Sequence, residues 1–193
     1  MGEATTETKR ADLRRAARDV VRSQVAESAV RLFDERGFDA TTVDEVAQHV
    51  GISPRSFFRY FASKEDAVLG DPIPYGLEIA ATLAARPADE DPWTALRGAL
   101  ERLVRDVDTE LGLITMRVVM SAPTLRARHL EKHLAWGRMF EDILRDRAGG
   151  RLPAQVVVQG TFACLDVAFS EWVALDRAVP LSNLFDQAMA ALR

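Results

Sequence analysis

Between Ser53 and Lys64 the chain gathers two guanidiniums (Arg55, Arg59), three aliphatic hydroxyls (Ser53, Ser56, Ser63), a phenol (Tyr60) and an ammonium (Lys64). These are hydrogen-bond donors and cations rather than bond-breaking groups, and their chemistry is recognition of base edges and phosphates. If Phe57 and Phe61, four residues apart, point inward, the helical period turns Arg55 and Arg59 to the opposite side. Ser56 and Phe58 then lie on one flank and Tyr60 on the other. On a protruding helix such groups suit a DNA major groove, where arginine can pair bidentately with guanine. Each residue taken singly is also what a solvated helix face carries; only the combination points to DNA.

Chemistry of other kinds is harder to assemble. Of the three histidines, His129 and His133 stand four apart on one expected helix and could present two imidazoles to a metal. Such a pair needs a further ligand, and H-L-E-K-H is not the H-E-x-x-H of zinc proteases. The reading is therefore a solvated, charged helix face, with no metal ligand and no cofactor. No phosphate-binding glycine loop, nucleophile elbow or cysteine pair occurs, so an enzyme is not expected. Cys164 is the only cysteine, which rules out an intrachain disulfide and suits an inert buried thiol.

The recognition residues need a rigid mount, and the sequence spells one out. Thr42 can N-cap a helix with Glu45 closing a capping box, and Val43, Val46, Ala47 and Val50 give it one apolar face. Gly51 can end that helix in the left-handed conformation. Ser53 then caps a second helix, Pro54 takes its first position, and Ile52 can staple against Phe57. Helices this short must lean on a longer one. The spacing of Leu13, Ala17, Val20, Val21, Val25, Ala29, Leu32 and Phe33 predicts that support over residues 13–36, with Gly37 as its stop and Phe38 against Phe33. Lys9 to Arg22 holds six basic and two acidic residues, a local balance of +4. A basic arm beside a DNA-reading head, Arg14 included, commonly reaches phosphate or a minor groove.

The run T-V-x-x-V-A-x-x-V-G-I-S-x-x-S-F-F-R-Y-F-x-S-K-E resembles the DNA-binding signature of the TetR family of bacterial transcriptional regulators. The resemblance implies that Thr42 and Lys64 touch phosphates, that Ser53, Pro54, Arg55, Ser56, Phe58 and Arg59 face bases, and that Tyr60 reaches the backbone. Phe58 stands where the family often has tyrosine, so one phenolic bond to phosphate is replaced by an apolar contact, such as one to a thymine methyl.

The whole chain of 193 residues is 48% hydrophobic with a net charge of −4, so nucleic-acid affinity has to come from local clustering. Residues 1–8 read as a disordered polar arm. The N-terminus lacks the apolar core of a signal peptide, and no apolar run is expected to reach the length of a membrane span. The localisation expected is cytoplasmic, with no membrane partner. After Lys64 to Leu69 starts a fourth helix, Asp71-Pro72-Ile73-Pro74-Tyr75-Gly76 is expected to break or kink it. Five further helices are read at Pro92 to Thr109, Gly112 to Ala122, Thr124 to Arg147, Pro153 to Arg177 and Leu181 to Leu192. The expected fold is all-α, with a three-helix helix-turn-helix head over residues 1–66 and a ligand-binding and dimerisation body over residues 67–193.

Within the body, the helix from Pro153 shows two apolar faces. The bulky one is expected inside. The small-residue face, Val157, Gly160, Cys164 and Ala168, is expected with Leu184, Phe185 and Ala188 of the last helix to pack against a second copy. A dimer would hold two heads about one DNA turn (~34 Å) apart, as a palindromic operator in double-stranded DNA requires. Large adaptable side chains recur at Met116, Met120, Trp136, Phe140, Phe162, Phe169 and Trp172, and by resemblance these would line an effector pocket with Asp166 as a polar contact. Arg117, His133 and Gln159 are further polar candidates. Such a lining favours an apolar or amphipathic molecule. The body also resembles actinobacterial members that sense fatty acyl-CoA. A homodimeric repressor released by such an effector is the function expected. The alternative is a helical small-molecule or metal-binding protein with no DNA role.

Overall fold

The computed structural model describes residues 3–192, with side chains from residue 14 onward. Every regular element among the described residues is a helix, and the chain divides into two compact units between Gly70 and Asp71.

The head holds α1 (Glu3–Arg36), α2 (Val43–Val50), α3 (Pro54–Tyr60) and α4 (Lys64–Leu69). The expected disordered arm is corrected from residue 3 onward: α1 runs back to Glu3, because extending an existing helix costs far less than nucleating one. Met1 and Gly2 lie outside the described residues. The buried stripe of α1 is also shorter than its periodicity suggests. Ala17, Val20 and Val21 are exposed, and burial begins at Val25 and continues through Ala29, Val30, Leu32 and Phe33. Leu13 falls among the residues whose side chains are not described. Gly37 donates to Phe33 O at 2.9 Å, and the Phe33 and Phe38 rings meet edge-on at 5.0 Å. Phe38, Val46, Ala47, Phe57, Phe61 and Ala67 complete the core.

The break expected after the start of α4 is present, but it falls at Gly70 and Asp71, and helix resumes at once as α5 (Pro72–Ala84) rather than at Leu77. Asp71 Oδ1 accepts from Ile73 N at 3.0 Å. Pro72 and Pro74 occupy the first turn, where the missing N–H groups have no carbonyl to reach. The two prolines therefore open a helix instead of breaking one. The helix expected from Pro92 to Thr109 bends at Leu100 into α6 (Pro92–Ala99) and α7 (Glu101–Val107). Next, α8 (Glu110–Ser121) starts ahead of Gly112, because the Thr109 hydroxyl accepts the Gly112 N–H at 3.0 Å. The remaining helices, α9 (Pro123–Leu144), α10 (Arg151–Ala174) and α11 (Leu181–Leu192), lie close to expectation.

Helix α10 is central to the body and packs on α6, α8, α9 and α11. It brings Val158, Phe162, Leu165, Phe169 and Trp172 against Trp136, Phe140 and Leu144 of α9 and Leu181 and Phe185 of α11, all buried. The expectation that no segment matches a membrane span in length is corrected here. At 24 residues α10 is long and apolar enough by composition, although half of its most apolar stretch is buried inside the body.

Candidate functional site

The recognition unit is held by three locally encoded devices. Thr42 and Glu45 form the capping box in full: Glu45 N donates to Thr42 Oγ1 at 3.3 Å, and Thr42 N donates to Glu45 Oε2 at 2.7 Å. Those bonds from Thr42 hold the Glu45 carboxyl below its usual range. Gly51, at φ 76°, sends its N–H to Gln48 O while Ile52 N reaches Ala47 O at 2.9 Å, a Schellman stop that a side-chain-bearing residue would strain. Ser53 Oγ accepts from Ser56 N at 3.1 Å, and Pro54 opens α3.

Phe57 and Phe61 are buried, with ring centroids 5.2 Å apart, which fixes the rotation of α3. Arg55, Arg59, Ser53 and Pro54 are consequently exposed, Ser56 and Tyr60 are half-buried at the flanks, and Phe58 is 55% exposed. An aromatic ring this open is costly in water unless something covers it. Thr42 and Arg14 are exposed as well.

Lys64 departs from the simple phosphate role. Its Nζ donates to Phe38 O at 2.7 Å and Thr41 O at 3.1 Å and lies 4.2 Å from the Phe38 ring centroid. The ammonium thus ties the loop after α1 to α4 and keeps one of its three donors for any phosphate. A second function of the basic stretch escaped the sequence reading. Arg18 Nη2 donates to Arg59 O at 2.7 Å and Arg22 Nε to Tyr60 O at 3.3 Å, while the Arg22 guanidinium lies 5.2 Å from the Phe61 ring centroid. Two cations of α1 therefore satisfy the last carbonyls of α3 and lock its C-terminal end. The basic run was visible, but the 41- and 38-residue separations carry no local signal.

In the body, Met116, Met120 and Asp166 line a cavity of about 140 Å³ together with Val119, Arg126, His129, Leu130 and Ser170. The other expected pocket residues, Trp136, Phe140, Phe162, Phe169 and Trp172, are buried in the core outside this lining. Apolar periodicity by itself cannot separate core from cavity wall. Arg117 pairs with Asp176 at 3.2 Å, and Gln159 is exposed.

The solvated reading of the histidine pair is corrected. His129 and His133 are 6% and 5% exposed, and Asp166 of α10 comes within 3.4 Å of His129 Nε2 and 3.5 Å of His133 Nδ1. Burial pushes the His129 imidazole down to about 4 and lowers His133 in the same direction. Burial alone would raise the Asp166 carboxyl, but the two imidazoles outweigh it and hold it below its usual range. On the far side of His129, Lys132 Nζ lies 3.4 Å from Nδ1, and burial pulls this amine down to about 8.

The dimer face expected on α10 is corrected too. Val157, Cys164, Ala168, Leu184 and Phe185 are buried within one chain, and Gly160 and Ala188 are half-buried. Cys164 Sγ reaches Ala188 O at 3.4 Å, and a methyl group at Gly160 would meet Trp93 at 2.8 Å and Leu192 at 2.9 Å. The small residues serve close approach of α11 and α6 within the chain. What α10 leaves open is another stripe: Leu152, Val156, Ala163 and Val167, with the three larger side chains 72%, 56% and 62% exposed.

Residues 26–69, which span the capping box, the Schellman stop and α3, match the family model described as bacterial regulatory proteins of the tetR family. Over that stretch the chain is similar to the TetR family. TcmR of Streptomyces glaucescens, an HTH-type transcriptional regulator, is 38% identical over 119 residues, or 58% of this chain. The match covers 53% of TcmR, so the chain spans about half the length of that relative. The fold is shared with FadR of Bacillus subtilis, solved in complex with stearoyl-CoA, at a TM-score of 0.63 and 18% identity, covering 88% of this chain and 96% of FadR. It is also shared with SmeT of Stenotrophomonas maltophilia, solved with triclosan, at a TM-score of 0.66 and 16% identity, covering 89% and 91%.

Proposed function

We propose that this chain is a DNA-binding transcriptional repressor of the TetR family that acts in the cytoplasm as a homodimer on a palindromic operator. The observation that carries the reading is the presentation of α3. Phe57 and Phe61 hold it from beneath, Arg18 and Arg22 hold its end, and Arg55, Phe58 and Arg59 stand exposed on its outer side. In this reading Ser53 to Arg59 enter the major groove, Tyr60 and Thr42 reach the backbone, Arg14 adds phosphate affinity from the arm, and Lys64 offers its remaining donor.

Dimerisation uses the exposed Leu152, Val156, Ala163 and Val167 stripe of α10, since a 24-residue helix with an open apolar face favours burying it against a copy of itself. The effector is a small apolar or amphipathic molecule entering beside Met116 and Met120. FadR's stearoyl-CoA and SmeT's triclosan support that class. A cavity of about 140 Å³ falls short of the ~300–1,000 Å³ typical of drug-sized ligands, so a fatty acyl-CoA would have to displace core side chains. Effector binding then favours the state with lower DNA affinity, and a coupling of ~1–3 kcal/mol gives a 5–150-fold change. Selection of duplexes from a random pool by the purified protein tests the reading. Enrichment of a palindrome supports it, and recovery of unrelated sequences with equal affinity overturns it.

A further inference from the structure

We propose that His129, His133 and Asp166 form a binding site for a divalent transition-metal ion of the zinc class, with coordination positions left open toward the body cavity. The site goes beyond the DNA reading and does not depend on it.

Each of the three residues offers one ligand atom, and all three atoms lie within 4.8 Å of one another. A tetrahedral ion bonded at about 2.0–2.1 Å needs ligand atoms about 3.3–3.4 Å apart. The two histidine-to-carboxylate separations, 3.4 and 3.5 Å, already match. Independently of that spacing, neither ring nitrogen of buried His133 has a hydrogen-bond partner, and Nδ1 faces the Asp166 carboxylate without the alignment of a hydrogen bond. A buried imidazole left unpaired is expensive, and a metal bond to Nδ1 removes that cost.

The surroundings fix the ring further. His133 stacks on Phe162 at a centroid distance of 4.5 Å with 10° between planes, and His129 meets Phe169 edge-on at 6.0 Å. Two imidazoles and one carboxylate form a mixed nitrogen and oxygen set that suits zinc, cobalt, nickel or ferrous iron better than calcium or magnesium. His129 and Asp166 both line the cavity, with Met116, Met120 and Ser170 beyond them, so an exogenous oxygen or nitrogen donor has a route to the ion. Lys132 opposes the site electrostatically, but its ammonium approaches His129 at Nδ1, away from the Nε2 that faces Asp166.

The test uses untagged full-length protein titrated with Co²⁺ and followed by visible absorption, with Zn²⁺ competing. One Co²⁺ per chain with a low-coordination spectrum is expected, together with a Zn²⁺-dependent rise in melting temperature that a chelator reverses. Asp166→Asn and His133→Gln, which keep the side-chain volume close to the original, should each weaken binding about tenfold or more while leaving the circular dichroism of the metal-free protein in place. Lys132→Gln should tighten binding, an effect that general loosening of the fold would not produce. Substoichiometric Co²⁺, or one equivalent whose affinity Asp166→Asn leaves unchanged, overturns the proposal. So does Zn²⁺ binding without any shift in melting temperature.

Discussion

At the scale of single residues, exposure and hydrogen-bond use separate roles that residue type alone leaves merged. Arg59 and Lys64 are both cations near the recognition helix, yet Arg59 is exposed and Lys64 donates to two carbonyls of its own head. Arg59→Ala should cost ~1–3 kcal/mol on the selected operator and relax sequence preference, as anisotropy titrations against specific and random duplexes would register. Equal losses on both duplexes would remove Arg59 from base reading. Lys64→Met should weaken all DNA similarly and also lower the melting temperature of the head, because the Phe38 and Thr41 carbonyls lose their partner.

At the scale of elements, the head shows how strongly short helices depend on their ends. With seven residues, α3 is too short to persist alone, so its caps and two phenylalanine anchors carry it. Ser53→Ala removes the oxygen that receives the Ser56 N–H and should cost about 1 kcal/mol of stability in thermal or urea unfolding. A variant that unfolds like the parent would show that the Phe57 and Phe61 anchors suffice. The caps at Thr42, Gly51 and Ser53 were legible because each is a local pattern. The break after α4 was legible but placed too late, because a proline in the first helical turn and one that ends a helix look alike until the cap before them is seen.

At the scale of the whole molecule, two consequences follow from what α10 buries and what it leaves open. Val156→Asp combined with Val167→Glu places charge on the exposed stripe and should shift sedimentation toward monomer, with a matching loss of affinity for palindromic DNA. An unchanged sedimentation coefficient would move the interface elsewhere. The second concerns pH in metal-free protein kept in chelator. His129 is held at about 4 when folded, against about 6.5 when unfolded, so between these values the unfolded chain binds more protons. Stability is therefore full above pH 6.5 and falls as pH drops toward 4, by about 3 kcal/mol at the most for this group. His129→Gln should flatten that part of the melting profile, and an unaltered slope between pH 7 and 5 would place the effect in other groups.

The sequence by itself determined the recognition unit, because capping, the glycine stop and the phenylalanine spacing act over four residues or fewer and admit one arrangement. It determined the all-helical class for the same reason. Tertiary structure alone decided that both apolar faces of α10 are covered within one chain, since helical spacing is the same for both and only the positions of α6, α9 and α11 cover them. It also decided the fate of His129 and His133. Their pairing was written into the chain, but the third member, Asp166, comes from another helix 33 residues beyond His133, a distance that no local periodicity spans.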